Sequence, residues 1–335
     1  MGGCVVGVKW LSLVSIAAQA WGSPLFGQSP ELAEVEVIGD GPTTLLVIPC
    51  ASCRWRSFDE FAERNAQRFT TISVTLPGYG GSALPELPTF GTEPLWHEYA
   101  VDALEGLLEQ RDLYDVIVVG HSFGASIALQ LAGRCSDRIR GLVNLDGTLV
   151  GPLERGELSG PERLAAAEEV RREYMVPLTD PDAWQRFNLP AIARQDRRTL
   201  YHGWFMATEL TAVTQYWWDN LLTDRNPILQ GLGMPVLDVQ LYSPKARNVA
   251  ALRQRYQQRI DALQLGPNYS VLFYENVGHF IMEDAPELLD AVLAVFADGG
   301  TEYPACTSST KMGHIGPKIK RHIPDTEKAG SGLRF

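Results

Sequence analysis

A serine between two glycines follows directly on an apolar run, and this stretch constrains the fold more than any other. In VIVVGHSFGASIALQLA, residues 116–132, β-branched residues come first and small and apolar residues follow Ser122. The first part is typical of a buried strand and the second of a helix. Gly120 and Gly124 allow a tight turn without Cβ clashes. A serine on such a strand-to-helix corner is held in a strained conformation that exposes its hydroxyl.

Short β-rich runs alternate with amphipathic stretches on both sides of this corner. The runs typical of strands are TTLLVIP, TTISVTLPGYGGS, YDVIVVG and IRGLVNLDG. The stretches typical of helices are RSFDEFAERNAQRF, WHEYAVDALEGLLEQRD and FGASIALQLAGRC. This alternation predicts an α/β fold, in which helices cover both faces of a mostly parallel sheet.

The alternation stops over residues 151–231, where helical stretches, prolines and aromatics prevail. It resumes with PVLDVQLYSP, ALRQRYQQRIDALQ, YSVLFYENVGH and APELLDAVLAVFA. We therefore predict one interrupted core domain, formed by residues 31–150 and 232–299, and an inserted helical cap at 151–231. Residues 300–335 are polar and without periodicity, and we expect them to be disordered.

The N-terminus resembles a targeting segment. The first thirty residues contain no Asp or Glu, and a short apolar stretch leads to Ala18-Gln19-Ala20, which fits an A-x-A cleavage site. We expect a signal peptide at 1–20 and a secreted or periplasmic protein; a cytosolic protein with an apolar N-terminus is the alternative. No later segment has the length of a membrane-spanning helix.

Charge and cysteine spacing narrow the function classes. The net charge of -11 and the pI near 5.1 argue against nucleic acid as a partner. Cys50 and Cys53 form a C-x-x-C, but no second pair lies at metal-ligand spacing. We expect neither a metal nor an organic cofactor. After removal of the leader, four cysteines would remain, an even number compatible with disulfides.

A serine hydroxyl is a weak nucleophile at neutral pH, so a nucleophilic Ser122 needs a histidine base. His279 is the predicted base. It lies in YENVGHFIMEDAPE, after the last predicted strand and before the last predicted helix, which brings it to the sheet edge of Ser122. The other five histidines lie in helices, cap, tail or the corner itself. The alternative for His279 is a packing or capping role.

Asp146 is the predicted carboxylate that orients this histidine. It ends the run GLVNLD, and the order Ser122, Asp146, His279 is the order expected when a serine follows a strand in this way. Asp238 is a less favoured alternative inside a predicted strand. Asp146 also fits a plain turn, because Asp-Gly is good turn chemistry.

Four motifs together resemble the α/β-hydrolase superfamily, in its capped branch with a serine nucleophile, over residues 35–299. They are LPGYGGS, GHSFGA, GLVNLDG and GHFIMEDAPE. The resemblance implies an eight-stranded, mostly parallel sheet and a triad formed by Ser122, Asp146 and His279. The serine differs from the aspartate that epoxide hydrolases and haloalkane dehalogenases of this superfamily carry.

One departure from the family pattern lies in IPCASC, where relatives have His-Gly. The resemblance implies that this loop and the residue after the serine each donate a backbone N–H to an oxyanion, which assigns Ala51 and Phe123. Cysteine at position 50 restricts the loop more than glycine does. A Cys50–Cys53 bridge that rigidifies the loop is a further hypothesis.

These residues predict a hydrolase that cleaves a carboxylic ester or related acyl bond of a small, largely apolar molecule. Amide or carbon–carbon bonds are alternatives, as is a non-catalytic ligand-binding protein on the same fold. Aromatic residues of the cap either line the substrate pocket or form the cap's own core. The residues assigned to the pocket are Trp204, Phe205, Trp217 and Trp218. The sequence assigns no oligomeric state.

Overall fold

The structure is a computed structural model that describes residues 30–147, 149, 160–172, 192 and 194–304. The predicted leader at 1–20 lies outside the described residues, as do parts of the predicted cap and residues 305–335 of the predicted tail. Within the described ranges no helix is long and apolar enough to cross a bilayer.

Seven strands of the described residues form one sheet in the order β1-β3-β2-β4-β5-β6-β7. All neighbours are parallel except β1, which is antiparallel to β3. This is the predicted mostly parallel sheet, with seven described strands where the family resemblance implied eight. The strands are β1 (Glu34–Ile38), β2 (Thr43–Ile48), β3 (Phe69–Thr75), β4 (Val116–His121), β5 (Ile139–Leu145), β6 (Val236–Tyr242) and β7 (Tyr269–Glu275).

Helices flank this sheet and connect its strands. In the described residues they are a 3-10 helix at Trp55–Phe58 and α1 (Asp59–Arg64), α2 (Leu95–Gln110), α3 (Gly124–Arg134), α4 (Gly160–Val170), α5 (Gln195–Ala207), α6 (Leu210–Leu222), α7 (Asn226–Gly231), α8 (Val249–Leu263), α9 (Ile281–Asp284) and α10 (Pro286–Ala297). Every residue of β4 is buried, because it lies inside a sheet covered on both faces. The carboxyl ends of β4, β5, β6 and β7 meet at one sheet edge, where the candidate site lies.

Two elements differ from the sequence-based expectation. Strand β1, EVEVI, was not predicted; it is an edge strand whose Glu34 pairs with Arg54. Its alternating acidic residues suit a half-exposed edge rather than a buried strand. Helix α1 ends at Arg64 and is shorter than the predicted helix. The side-chain amide of the next residue, Asn65, donates to the carbonyl oxygen of Phe61 at 2.9 Å and caps the helix there.

All described regular structure between β5 and β6 is helical, and it comprises α4 to α7. Asp219 of α6 accepts hydrogen bonds from the backbone N–H groups of Trp96 and His97, at 2.7 and 3.0 Å. These are free N–H groups of the first turn of α2, whose own N-cap residue, Pro94, provides no side-chain cap. Helix α6, in the region predicted to be a cap, therefore satisfies the N-terminal N–H groups of a core helix.

Candidate active site

Ser122 lies on a strained corner at the end of β4. Its φ is 54°, in the left-handed region that side chains other than glycine rarely adopt. A Cβ at position 124 would overlap the carbonyl oxygens of Ile48 and Pro49, so only glycine lets α3 begin this close to the end of β2. The N–H of Ser122 donates to the carbonyl of Leu145 at 2.9 Å, which ties the corner to β5.

His279 lies in the loop between β7 and α9, and its Nδ1 is 2.6 Å from Oδ2 of Asp146. Both side chains are largely buried, with exposed fractions of 23% and 16%. The structure thus joins the predicted histidine to the predicted carboxylate at the sheet edge where β4 ends in Ser122. A carboxylate at Nδ1 fixes the ring tautomer and leaves Nε2 free to accept a proton.

Two neighbours on β6 hold Asp146. The N–H of Asp146 donates to the carbonyl of Val239 at 2.7 Å, and its Oδ1 accepts from the N–H of Leu241 at 2.8 Å. Like Ser122, Asp146 is left-handed, with φ at 51°. The loop after β6 holds no carboxylate, and β6 instead orients the carboxylate of β5 through its backbone. Asp238, the alternative acid, is fully buried inside β6 and bonded to other side chains.

His121 contributes to the site in a way that sequence reasoning missed. Its Nε2 lies 2.8 Å from the carbonyl oxygen of His279, so Nε2–H donates and holds the backbone of that loop. Burial, with a smaller effect from the neighbouring His279, lowers the pKa of His121 well below its ordinary value. The ring is therefore neutral at ordinary pH. In the sequence, His121 is marked by its place between Gly120 and Ser122, which does not identify its partner.

The loop after β2 contains the hypothesised bridge: Cys50 and Cys53 form a disulfide. The N–H of Cys53 also donates to the carbonyl of Cys50 at 3.1 Å, and Ser52 is left-handed with φ at 62°. Ala51, inside this closed turn, is 7% exposed. Neither its N–H nor that of Phe123 donates to another described backbone group. These are the two donors that the resemblance assigned to an oxyanion.

The cap aromatics separate into different surroundings. Trp217 is half-buried, and its ring lies 6.0 Å from the ring of Phe123. Trp204 and Phe205 pack against Tyr201, at 4.7 and 6.3 Å between ring centroids. Trp218 lies in a separate buried cluster with Ala167 and Leu221. Of the four residues assigned to the pocket, Trp217 is the one placed against the residue that follows Ser122.

The described ranges contain no group of three or more His, Cys, Asp or Glu side chains arranged to hold a metal ion. Cys135, the described cysteine outside the disulfide, is buried, and burial raises the pKa of its thiol to about 12. A thiol with so high a pKa is a poor nucleophile at neutral pH. The site combines a left-handed serine at the end of β4 with an imidazole bound to a carboxylate at the same sheet edge.

Comparison with known proteins agrees with this architecture. The model of the alpha/beta hydrolase family matches residues 45–292. The 2-(acetamidomethylene)succinate hydrolase of Mesorhizobium japonicum is 27% identical over 72% of this chain and 83% of its own length. The lipase LipV of Mycobacterium tuberculosis is 27% identical over 63% of this chain and 81% of its own.

Among solved structures, an esterase from Exiguobacterium antarcticum superposes with a TM-score of 0.59. It is 16% identical, and the alignment covers 79% of this chain and 94% of the esterase. At this identity the similarity establishes a shared fold. The family match and this shared fold together establish the architecture that carries the candidate site.

Proposed function

Because this chain belongs to the alpha/beta hydrolase family, we propose that it is a serine hydrolase that cleaves a carboxylic ester or related acyl bond of a small molecule. One observation carries the proposal: the 2.6 Å contact between His279 and Asp146 at the sheet edge where Ser122 forms a left-handed corner. A strained serine and a carboxylate-bound histidine at one edge are the parts of a nucleophilic mechanism.

In this mechanism, Nε2 of His279 takes the proton of Ser122 as Oγ attacks the carbonyl carbon of the substrate. The oxyanion accepts hydrogen bonds from the N–H groups of Ala51 and Phe123. The bond to the leaving group then breaks, and His279 returns the proton to that group. Water, deprotonated by His279, attacks the acyl carbon; the bond to Ser122 Oγ breaks, His279 returns the proton to Oγ, and the acid leaves. Asp146 stabilises the charged imidazole throughout.

The substrate class is supported by the cap and by the relatives. Trp217 places an apolar ring near Phe123, which suits an apolar acyl or alcohol group. One relative is named a lipase and another a 2-(acetamidomethylene)succinate hydrolase. A substrate panel for this chain therefore includes short and long esters, thioesters and amides of acidic molecules.

The test is the intact mass of the protein after exposure to a fluorophosphonate, which reacts with activated serines. We expect single labelling that Ser122→Ala abolishes and His279→Ala slows strongly. Ser243→Ala is the matched control, because Ser243 is an exposed serine in the loop after β6. Turnover of the panel should follow the same order of variants. If the folded wild-type protein is not labelled, the proposal fails and a ligand-binding role on this fold takes its place.

We also propose that the mature chain lies outside the cytosol. The Ala18-Gln19-Ala20 site and the Cys50–Cys53 disulfide support this, because disulfides persist in oxidising compartments. Terminal sequencing of the full-length chain after expression in a secreting host tests it. A new N-terminus at residue 21 is the expected result, and an uncleaved intracellular product would contradict it.

A further inference from the structure

A buried polar cluster lies behind the site, centred on Asp238 in the middle of β6. Asp238 is 0% exposed. Its Oδ1 accepts from the side-chain amides of Asn144 and Gln240, at 2.6 and 2.8 Å. Its Oδ2 accepts from the hydroxyls of Tyr256 and Tyr269. We call these five residues the Asp238 cluster. All four partner groups donate, so the Asp238 carboxylate acts only as an acceptor in these hydrogen bonds.

The Asp238 cluster reaches the candidate site through Gly147, the residue after Asp146. The Asn144 amide donates to the carbonyl oxygen of Gly147 at 2.7 Å, and the N–H of Gly147 donates back to Oδ1 of Asn144 at 2.8 Å. Gln240 donates to the same carbonyl at 3.1 Å. Both backbone polar groups of Gly147 are therefore fixed by side chains that Asp238 orients.

Gly147 also packs directly on the serine corner. A Cβ there would overlap the carbonyl oxygen of Ser122 and the side chain of Ala125. The cluster thus holds one short turn between the nucleophile on one side and the carboxylate of Asp146 on the other.

Asp146 needs such support because its backbone is left-handed. This conformation is unfavourable for a residue with a Cβ and persists where the surrounding structure determines it. Asn144 and Gly147 flank Asp146 and bond to each other, which fixes the backbone between them. The direction of the Asp146 carboxylate toward His279 depends on that backbone.

We propose that Asp238, acting through Asn144, is a positioning residue that holds Asp146 in register with His279. The effect that this proposal predicts on kcat rests on the proposed function. Asp238 needs no contact with the substrate; its role is to fix Asn144, which fixes the turn that carries the acid.

The test compares Asn144→Ala and Asp238→Ala with the conservative variant Asp238→Asn. An asparagine keeps an acceptor for Asn144 and Gln240, while the two tyrosine hydroxyls can accept from its amide. We expect a fall of about 100-fold in kcat at nearly constant KM for the two alanine variants, as for a small displacement of a catalytic group. Asp238→Asn should recover most of that loss.

A proton NMR readout separates positioning from mere stability. The Nδ1 proton of His279, hydrogen-bonded to Asp146, gives a low-field resonance. We expect this resonance to be lost or shifted in Asn144→Ala. The matched control is Asn268→Ala, because Asn268 donates to two backbone carbonyls, of Leu232 and Met234, at the opposite end of the sheet. The control should lose stability and keep both the resonance and kcat.

If Asn144→Ala is folded and keeps the resonance and kcat, the proposal is overturned. If it does not fold, Gln240→Ala replaces it, because that variant removes one of two donors to Gly147 at a half-buried position. A smaller shift in the same direction supports the proposal, and no change in either readout overturns it. The resonance needs no substrate, so it judges the positioning even if fluorophosphonate labelling contradicts the proposed function.

Discussion

The sheet edge with the candidate site and the predicted cap are held in place by different kinds of contact. At the edge, Ser122 and Asp146 adopt left-handed backbones and are tied by backbone hydrogen bonds to neighbouring strands. The described helices of the predicted cap are joined to the core through buried ionisable side chains. Asp219 of α6 accepts hydrogen bonds from the first turn of α2, and Arg197 of α5 pairs with Glu283 of α9. The edge thus rests on backbone conformation and backbone hydrogen bonds, whereas the described helices of the predicted cap are joined to the core by side chains.

The largest expected effect is a loss of activity without a loss of stability, from a substitution at the sheet edge. Asp146→Asn should lower kcat by about 10⁴-fold, because an amide at this position favours the wrong imidazole tautomer. Stability should change little, since asparagine tolerates the left-handed backbone. Turnover of an ester and a thermal melt measure the two effects. Asp137→Asn, at an exposed aspartate, is the control, and an active Asp146→Asn enzyme would contradict the assignment of the acid.

The next effect tests how the cap is attached. In Arg197→Met, Glu283 loses the 2.8 Å ion pair to Arg197, although its own side chain is 2% exposed. Removal of one partner of a buried pair costs about 3–5 kcal/mol. Urea unfolding should show this loss, and the double variant Arg197→Met/Glu283→Leu should recover much of it.

Arg68→Met is the control for this experiment. Arg68 pairs with Asp298 at the surface, where the two side chains are 44% and 68% exposed. An exposed pair contributes about 1 kcal/mol or less. If Arg197→Met destabilises no more than Arg68→Met, side-chain pairs do not hold the cap.

The same change, glycine to alanine, can be made in each of the two regions and its effect on stability compared. In Gly124→Ala, the new methyl group would overlap the carbonyl oxygens of Ile48 and Pro49, and overpacking of this kind costs about 1–3 kcal/mol. In Gly203→Ala, within α5 of the cap, nothing lies within 4 Å of the new Cβ. Alanine should stabilise that helix by about 0.5–1 kcal/mol. Thermal melts measure both changes, and equal signs would contradict the comparison.

Separation along the chain explains which features of the molecule the sequence could predict. The G-x-S-x-G corner and the carboxylate at the end of β5 are features of a few consecutive residues, so their chemistry was readable from the chain. Asp219 caps α2 from 123 residues away, and His121 holds a carbonyl 158 residues away. No local pattern marks such pairs. The edge strand β1 was missed for a related reason, since its pairing with β3 rather than its own composition makes it a strand.

For the wild-type chain, the smallest expected effect is the net pH dependence of stability at the join between the predicted cap and the core. Burial, aided by Arg225, lowers the pKa of His97 to about 3, from 6.5. Burial also raises the pKa of its neighbour Asp219 to about 7, from 3.8. Between these values the unfolded chain binds a proton at His97 that the folded chain does not. The folded chain, in turn, binds a proton at Asp219 that the unfolded chain does not.

The two groups therefore have opposite linkage. Acidification through 6.5 lowers stability through His97 and raises it through Asp219, each by up to about 1.4 kcal/mol per pH unit. The contributions nearly cancel in the wild-type chain between roughly pH 4 and 6.5. Relative to wild type, His97→Gln should gain stability on acidification, and Asp219→Asn should lose it. Urea midpoints over this window measure both slopes; slopes of the same sign would contradict the opposite linkage of His97 and Asp219.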